Sequence, residues 1–217
     1  MTATKSVFVT LDTVAYREKP QNREIAAITR RLQASGPVEV SPEELGVAIA
    51  NGQTWCGGCF EPSSHEWGRF VSQRLFAFDI DNDVVVRDAN GKPMKDANGH
   101  ILKRDLVRGE EGFLDPWDAL ARWRSLFGGD PLIMYPTFSF EQTVDLSEYP
   151  TKTKYRLVFD AGEAVTSEAR SKDVLTKLLR AFPEADPSCT NANRLFFASR
   201  GKCVVFAKGG PLYVKRP

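Results

Sequence analysis

Apolar positions recur at helical spacing in four stretches of the chain and fall into runs or alternation in several others. In Gln21–Ala34, Ile25, Ile28 and Leu32 share one face of a predicted helix. Ser41-Pro42-Glu43-Glu44 opens a second, with serine at the N-cap, proline in the first turn and early acids. Asp115–Phe127 is signalled at both ends, by the cap Asp115, by Pro116 at the first position and by Gly128-Gly129 after the last. Ser167–Phe182 gathers Val174, Leu175, Leu178 and Leu179 on one face of a fourth.

Strand patterning begins at Thr54. Leu75-Phe76-Ala77-Phe78-Asp79-Ile80-Asp81 is an apolar run that ends in acids, which predicts a buried strand delivering carboxylates at its exit. Leu132–Phe140 and Lys154–Phe159 read as two strands of a long hairpin, and Arg194–Ala198 and Cys203–Ala207 as two more around the turn Ser199-Arg200-Gly201-Lys202. Asp-Ala-Asn-Gly occurs twice, at Asp88–Gly91 and Asp96–Gly99, and Asn-Gly favours tight turns. Residues 83–107 are therefore expected to form an exposed hairpin insertion with no chemistry of its own, His100 being a solvated turn residue. Helices and strands mix without β-α-β alternation, so the expected class is α+β, with a largely antiparallel sheet and an N-terminal helical layer.

The chain has 217 residues, 42% hydrophobic and 26% charged, which suits a globular protein with one catalytic unit spanning 1–217. A net charge of +1 gives no whole-molecule field that would mark a nucleic-acid partner. Basic charge is instead local: Arg194–Arg216 includes Arg200, Lys202, Lys208 and Lys215 and no acid, a candidate phosphate-facing strip. No segment approaches the roughly 20 apolar residues that cross a bilayer, and Met1–Asp12 lacks a leader pattern, so a cytoplasmic protein without a membrane partner is expected. Four cysteines suggest no disulfide framework. Cys56-Gly57-Gly58-Cys59, with His65 nearby, is half a zinc site, but Cys189 and Cys203 are isolated from one another, which disfavours zinc. No helix is signalled directly after Cys59, which disfavours redox chemistry as well.

Alternate strand residues share a face, so Asp79 and Asp81 project together, and two adjacent carboxylates repel unless a cation lies between them. Such a pair also ends many ordinary strands. Hard Mg²⁺ or Mn²⁺ prefers carboxylate oxygen and shares its ligands with substrate phosphates, and two such ions can clamp attacking and leaving oxygens. On this reading, replacing either acid by alanine relieves repulsion and leaves the fold intact. Lys154 and Arg156 lie on one face of their strand, as in any amphipathic strand. A third acid, Asp186, precedes Pro187, where an Asx turn or helix cap is the plain alternative.

These segments together resemble the archaeo-eukaryotic primase superfamily, especially the primase-polymerases of phages and plasmids. The first motif of that family, two acids one residue apart after a hydrophobic strand, is matched by Phe76-Ala77-Phe78-Asp79-Ile80-Asp81-Asn82. The third, an acid followed by Asn-Arg and an aromatic strand, is matched by Asp186 and Asn193-Arg194-Leu195-Phe196-Phe197. The middle motif, Ser-x-His before an apolar strand, is replaced by Lys154-Tyr155-Arg156, with Arg156 where histidine would stand. The resemblance covers roughly Thr54–Lys208. It implies an RRM-like antiparallel sheet and DNA-dependent nucleotidyl transfer, as a primase or DNA polymerase making primers on single-stranded DNA from NTPs or dNTPs. Asp79, Asp81 and Asp186 would hold two Mg²⁺ or Mn²⁺ ions, while Lys154, Arg156 and Arg194 would face the triphosphate with Ser139 lining the pocket. Arg200 and Lys202 would contact template, with Trp55 or Phe60 offered as stacking surfaces and Asp160 as an alternative third acid. The resemblance further implies a longer replication protein with a linked or associated helicase domain, acting in a bacterial host cell if phage- or plasmid-encoded.

Two other readings compete. A phosphatase of the haloacid dehalogenase type also uses Asp-x-Asp after a hydrophobic strand, though on a parallel sheet, near the N-terminus and followed by Thr or Val where Asn82 stands here. A non-catalytic origin- or single-strand-binding module with a primase-like fold is the other, and it gains nothing from a carboxylate cluster.

Overall fold

The computed structural model describes residues 6–138, 153–199, 203–207 and 210–214. Along the chain run β1 (Val7–Ala15), α1 (Asn22–Ser35), β2 (Val38–Val40), α2 (Pro42–Asn51), β3 (Gln53–Cys56), β4 (Gly58–Phe60), β5 (Phe70–Ile80), β6 (Asp83–Val85), β7 (Lys103–Asp105), α3 (Pro116–Phe127), β8 (Ile133–Pro136), β9 (Tyr155–Val165), α4 (Glu168–Ala181), β10 (Cys203–Ala207) and β11 (Gly210–Val214). The four helices start where local chemistry starts them. Ser41 Oγ accepts the Glu44 amide at 3.1 Å while the Glu44 carboxylate accepts the Ser41 amide at 2.7 Å, a reciprocal capping box on α2. Asp115 caps α3 by accepting the Trp117 amide at 2.8 Å, and Gly128 ends that helix in the left-handed region at φ 72°.

The class is α+β, with antiparallel pairing throughout a six-stranded sheet ordered β11-β10-β8-β9-β5-β4. The long strand β5 is buried on both faces from Leu75 to Ile80, which is why its sequence reads as a run rather than an alternation. One face, carrying Phe76 and Phe78 with Leu157 and Phe159 across the ladder, packs on α3 and α4. There Phe78 meets Phe182 at 5.0 Å between ring centroids, and Trp123 meets both Phe159 and Phe182. The opposite face is covered by α2 and by a second sheet, β2-β1-β3, so the expected N-terminal helical layer is a mixed layer of helices and strands. Core residues from β1 through β10 form one large cluster, and Cys56, Phe60 and Ala192 form a second, smaller one.

Strand β1 has no counterpart in the sequence reading. It alternates buried Val7 and Val9 with exposed Phe8, then places Asp12 in the interior, where Arg31 of α1 reaches it with two hydrogen bonds of 2.7 and 2.8 Å. The expected strand Arg194–Ala198 is reduced to a single bridge, Trp55 to Phe196, because the preceding residues are held in turns; β10 pairs instead with β8 and with β11.

Residues 83–107 project from the exit of β5 as more than a hairpin. The two Asp-Ala-Asn-Gly copies begin eight residues apart and fold identically: the first aspartate accepts amides two and four residues on, Asn90 and Lys92 in one copy and Asn98 and His100 in the other, all at 2.8 to 2.9 Å. At their junction, Met94 donates to Val86, Val86 to Leu102 and Leu102 to Met94, each at 2.9 Å. That closed ring of three backbone hydrogen bonds joins two small loops, or leaves, to the β6–β7 stem as a two-leaved unit. Asn82 anchors the stem. Buried at φ 45°, a conformation asparagine tolerates better than most residues, it donates to the carbonyls of Leu114 and Thr153 and accepts the Leu114 amide.

Candidate functional site

Cross-strand pairing lines up a polar row inside the sheet: Asp79 of β5 faces Arg156 of β9, which faces Tyr135 of β8. These side chains lie on the face opposite the aromatic cluster. Arg156 Nε donates to Asp79 Oδ1 at 2.6 Å, and Nη1 donates to the Tyr135 hydroxyl and the Phe197 carbonyl, both at 2.7 Å. Trp55 Nε1 in turn donates to the Tyr135 hydroxyl at 2.9 Å. The guanidinium lies 4.7 Å from the Phe196 ring centroid and 5.2 Å from that of Tyr135. Burial disfavours its charge, but Asp79 and Tyr135 more than offset this and raise its pKa, so Arg156 is charged at any ordinary pH. Burial likewise pushes the Tyr135 phenol up to about 12.

Arg156 is only 4% exposed and its Nε and Nη1 donors are engaged, so the structure gives it the part of holding Asp79 rather than an open triphosphate contact. The expectation that alanine at position 79 spares the fold also needs correction: Asp79 is 6% exposed and is the counter-ion of a buried arginine.

Asp186 comes to this end of β5 through the backbone. Ala185 bridges Ile80, and the Asp186 amide donates to the Asp79 carbonyl at 2.8 Å, continuing the edge of β5 beyond β4. Its Oδ1 accepts the Ser188 amide at 2.9 Å, the Asx turn that Asp-Pro-Ser suggests, while Oδ2 accepts the Ser188 hydroxyl at 2.6 Å and Arg194 Nη2 at 2.8 Å. Burial works against the Asp186 carboxylate, but the Ser188 hydrogen bonds and Arg194 outweigh it and hold its pKa below the usual range. The same Arg194 nitrogen stands 3.4 Å from Asp79 Oδ2, bridging the two acids; Nη1 donates to Ser188 Oγ at 2.6 Å, and Nε is buried without an acceptor among the described residues.

Asp81 lies past the end of the ladder. Burial, with Asp79, Asp83 and Asp186 near, pushes its carboxyl pKa up against the pull of Lys154. Lys154 itself is tied to Asp83 at 2.8 Å and Asp105 at 3.3 Å, fastening the stem of the two-leaved unit beside the site. Asp160 stands at the level of Leu75, bound through both oxygens to Arg74 at 2.7 Å, and is not the third acid of this cluster. Trp55 and Phe60 are 0% and 7% exposed, so neither offers a stacking surface. Ser139, Arg200 and Lys202 lie outside the described residues.

Cys56-Gly57-Gly58-Cys59 has a packing explanation. A Cβ on Gly57 would stand 2.3 Å from the Leu75 carbonyl oxygen, and one on Gly58 2.4 Å from that of Ala192, so the turn from β3 to β4 needs both glycines for close approach. All four cysteines are free and buried. One of them, Cys189, was not singled out by sequence as a site residue: its sulfur joins oxygens of Asp79 and Asp186 in a group of donor atoms all within 4.8 Å of one another. The available signal was its place three residues after Asp186, inside the motif that brings that acid in.

No helix of the described residues is long and apolar enough to cross a membrane. Comparison of the chain with protein-family models, curated proteins and solved structures yields no match.

Proposed function

We propose that this chain is the catalytic domain of a primase-polymerase, a template-directed nucleotidyltransferase whose divalent cations are held by Asp79, Asp81 and Asp186. The observation that carries the reading is convergence. Asp186, remote in sequence from Asp79, is pinned by its own amide to the Asp79 carbonyl, with its carboxylate beside that of Asp79 and within electrostatic reach of Asp81. The all-antiparallel pairing of the main sheet, with α3 and α4 on one face, is compatible with the RRM-like core of such enzymes and unlike the parallel sheet of a haloacid dehalogenase phosphatase.

The residues present suit divalent cations. Carboxylate oxygens are the donors Mg²⁺ and Mn²⁺ prefer, and the Asp79–Asp186 pair is already bridged by a positive group, Arg194 Nη2. Cations bound there would lower the pKa of an attacking 3′-hydroxyl and draw charge from the triphosphate. Arg156 fixes Asp79 Oδ1, so that Oδ2 is the oxygen presented to the site. Arg194 would exchange partners: relieved of the carboxylates, its guanidinium fork, including the buried Nε that has no acceptor among the described residues, would turn to the phosphates. Lys154 damps the repulsion that Asp81 feels, and Arg200 and Lys202 are proposed template contacts with Ser139 at the nucleotide.

The test is incorporation of labelled NTPs or dNTPs on single-stranded DNA, with and without primer, in Mg²⁺ or Mn²⁺, comparing native protein with Asp81→Asn and Asp186→Asn. Metal-dependent product lost in both variants supports the proposal, and unprimed product makes it a primase. Absence of product with single-stranded DNA still bound would support a binding module instead.

A further inference from the structure

Cys189 is 1% exposed, and its sulfur sits 4.0 Å from Asp79 Oδ2, with the Asp79 backbone also hydrogen-bonding it. The other cysteines have different surroundings: Cys56 donates to the Ala192 carbonyl at 3.1 Å, Cys59 is hydrogen-bonded to Ser72, and Cys203 lies in β10. Position 189 is thus the one where a thiol joins the oxygen donors of the proposed centre among the described residues.

We propose that Cys189 is a ligand of that centre, completing with Asp79 and Asp186 an oxygen-oxygen-sulfur site that takes a borderline divalent cation of the Co²⁺ or Zn²⁺ class in preference to Mg²⁺. The inference rests on the reading of Asp79 and Asp186 as cation ligands and adds the chemical class of the ion. Three donors at the corners of a triangle with sides of at most 4.8 Å lie no more than about 2.8 Å from its centre. Closing to metal–oxygen and metal–sulfur bonds of about 2.0–2.3 Å therefore asks each donor to move by about half an ångström to one ångström at most. The donors sit on two segments already hydrogen-bonded backbone to backbone, the exit of β5 and the turn from Asp186 to Cys189, so such a closure needs no refolding.

Binding transfers the thiol proton to solvent and leaves the thiolate on the metal, with Arg194 withdrawing from between the carboxylates. The Asp79 backbone contact to sulfur then acts as the outer hydrogen bond that stabilises a bound thiolate. Mg²⁺ gains little from sulfur, whereas the borderline ions gain from both donor types. The result is selection among cations that carboxylates alone would not supply.

Titration of the full chain with Co²⁺ tests this without any assay of nucleotide transfer. Native protein and Cys203→Ser should develop a sulfur-to-cobalt charge-transfer band, and cobalt-edge X-ray absorption of the native protein should show one sulfur among the ligands. Cys189→Ser, checked for native circular dichroism, should lose the band and bind Co²⁺ about 10–100-fold more weakly, with Mg²⁺ affinity little changed. The inference is overturned if native protein binds no Co²⁺, if bound Co²⁺ has no sulfur ligand, or if the band survives in Cys189→Ser. Because the native absorption experiment uses no variant, misfolding of Cys189→Ser would not rescue a wrong assignment. A sulfur-ligated cation without nucleotide incorporation would refute the polymerase proposal alone; metal-dependent incorporation without sulfur ligation would refute this inference alone.

Discussion

Asp79→Ala removes one carboxylate and leaves the Arg156 guanidinium charged inside the sheet, 4% exposed and one counter-ion short. Relief of repulsion with Asp81 and Asp186 works in the opposite direction, but those acids retain Lys154 and Arg194 beside them, so the relief is the smaller effect. Breaking one side of a buried pair costs about 3–5 kcal/mol, and for a chain of this size each kcal/mol moves the midpoint of thermal unfolding by about 2–4 °C. Asp79→Ala is therefore expected to melt about 6–20 °C below the native protein, as followed by circular dichroism and by urea unfolding. Replacing both partners, Asp79→Leu with Arg156→Met, should recover at least about 2 kcal/mol of the loss, since an apolar pair carries no stranded charge. Recovery should stop short of complete, because the Phe197 carbonyl loses its donor; the Tyr135 hydroxyl keeps Trp55. A value for Asp79→Ala within about 1 kcal/mol of native, or a double variant that is merely additive, would refute the claim that a desolvated ion pair holds this strand row together.

Asp81 calls for the opposite expectation. Its pKa is raised in the folded protein, so the stability its uncharged form confers is present below the unfolded value and lost as pH rises through the folded one. Asp81→Asn should consequently match native protein in acid and exceed it toward neutral pH in metal-free urea titrations run between about pH 3 and pH 8, while failing to support incorporation. Asn82→Ala removes three hydrogen bonds to Leu114 and Thr153, although the Leu114 carbonyl keeps the Tyr155 hydroxyl, and should cost about 2–4 kcal/mol, with amide exchange of Leu106 accelerated because its acceptor is the Asn82 carbonyl. Gly58→Ala, whose Cβ would press on the Ala192 carbonyl, should displace the segment leading to Arg194 and weaken Mn²⁺ binding by calorimetry, whereas Gly99→Ala, which meets nothing within 4 Å, should leave Mn²⁺ binding unchanged.

Helices were legible in this sequence because their start signals are local. Ser41 and Asp115 need only residues two or three positions away to cap their helices. Strand β5 was legible for a related reason: its run of apolar residues is covered on both faces. What escaped depends on contacts distant in sequence. β1 carries a charged residue at an interior position, and nothing near Asp12 reveals that Arg31 will neutralise it. Arg156 looked like a cation seeking an anion, and its anion proved to be Asp79 on the neighbouring strand, a pairing fixed by strand register. The motif pointed to Asp79, Asp81 and Asp186, of which the fold groups Asp79 and Asp186, but not to Cys189, since a lone cysteine declares itself only when the fold brings carboxylates beside it.

The ring formed by Val86, Met94 and Leu102 bears on how such a chain changes over generations. Each eight-residue leaf satisfies its own backbone and returns the chain to nearly the point it left. An in-frame tandem copy of that unit can therefore enter a gene, or be lost from it, without shifting the carboxylates at the strand exit. The near-identity of the two leaves, Asp-Ala-Asn-Gly in each, fits an origin by such copying. Variation in the number of leaves would place new side chains next to the carboxylates while β5 stays under its own constraints.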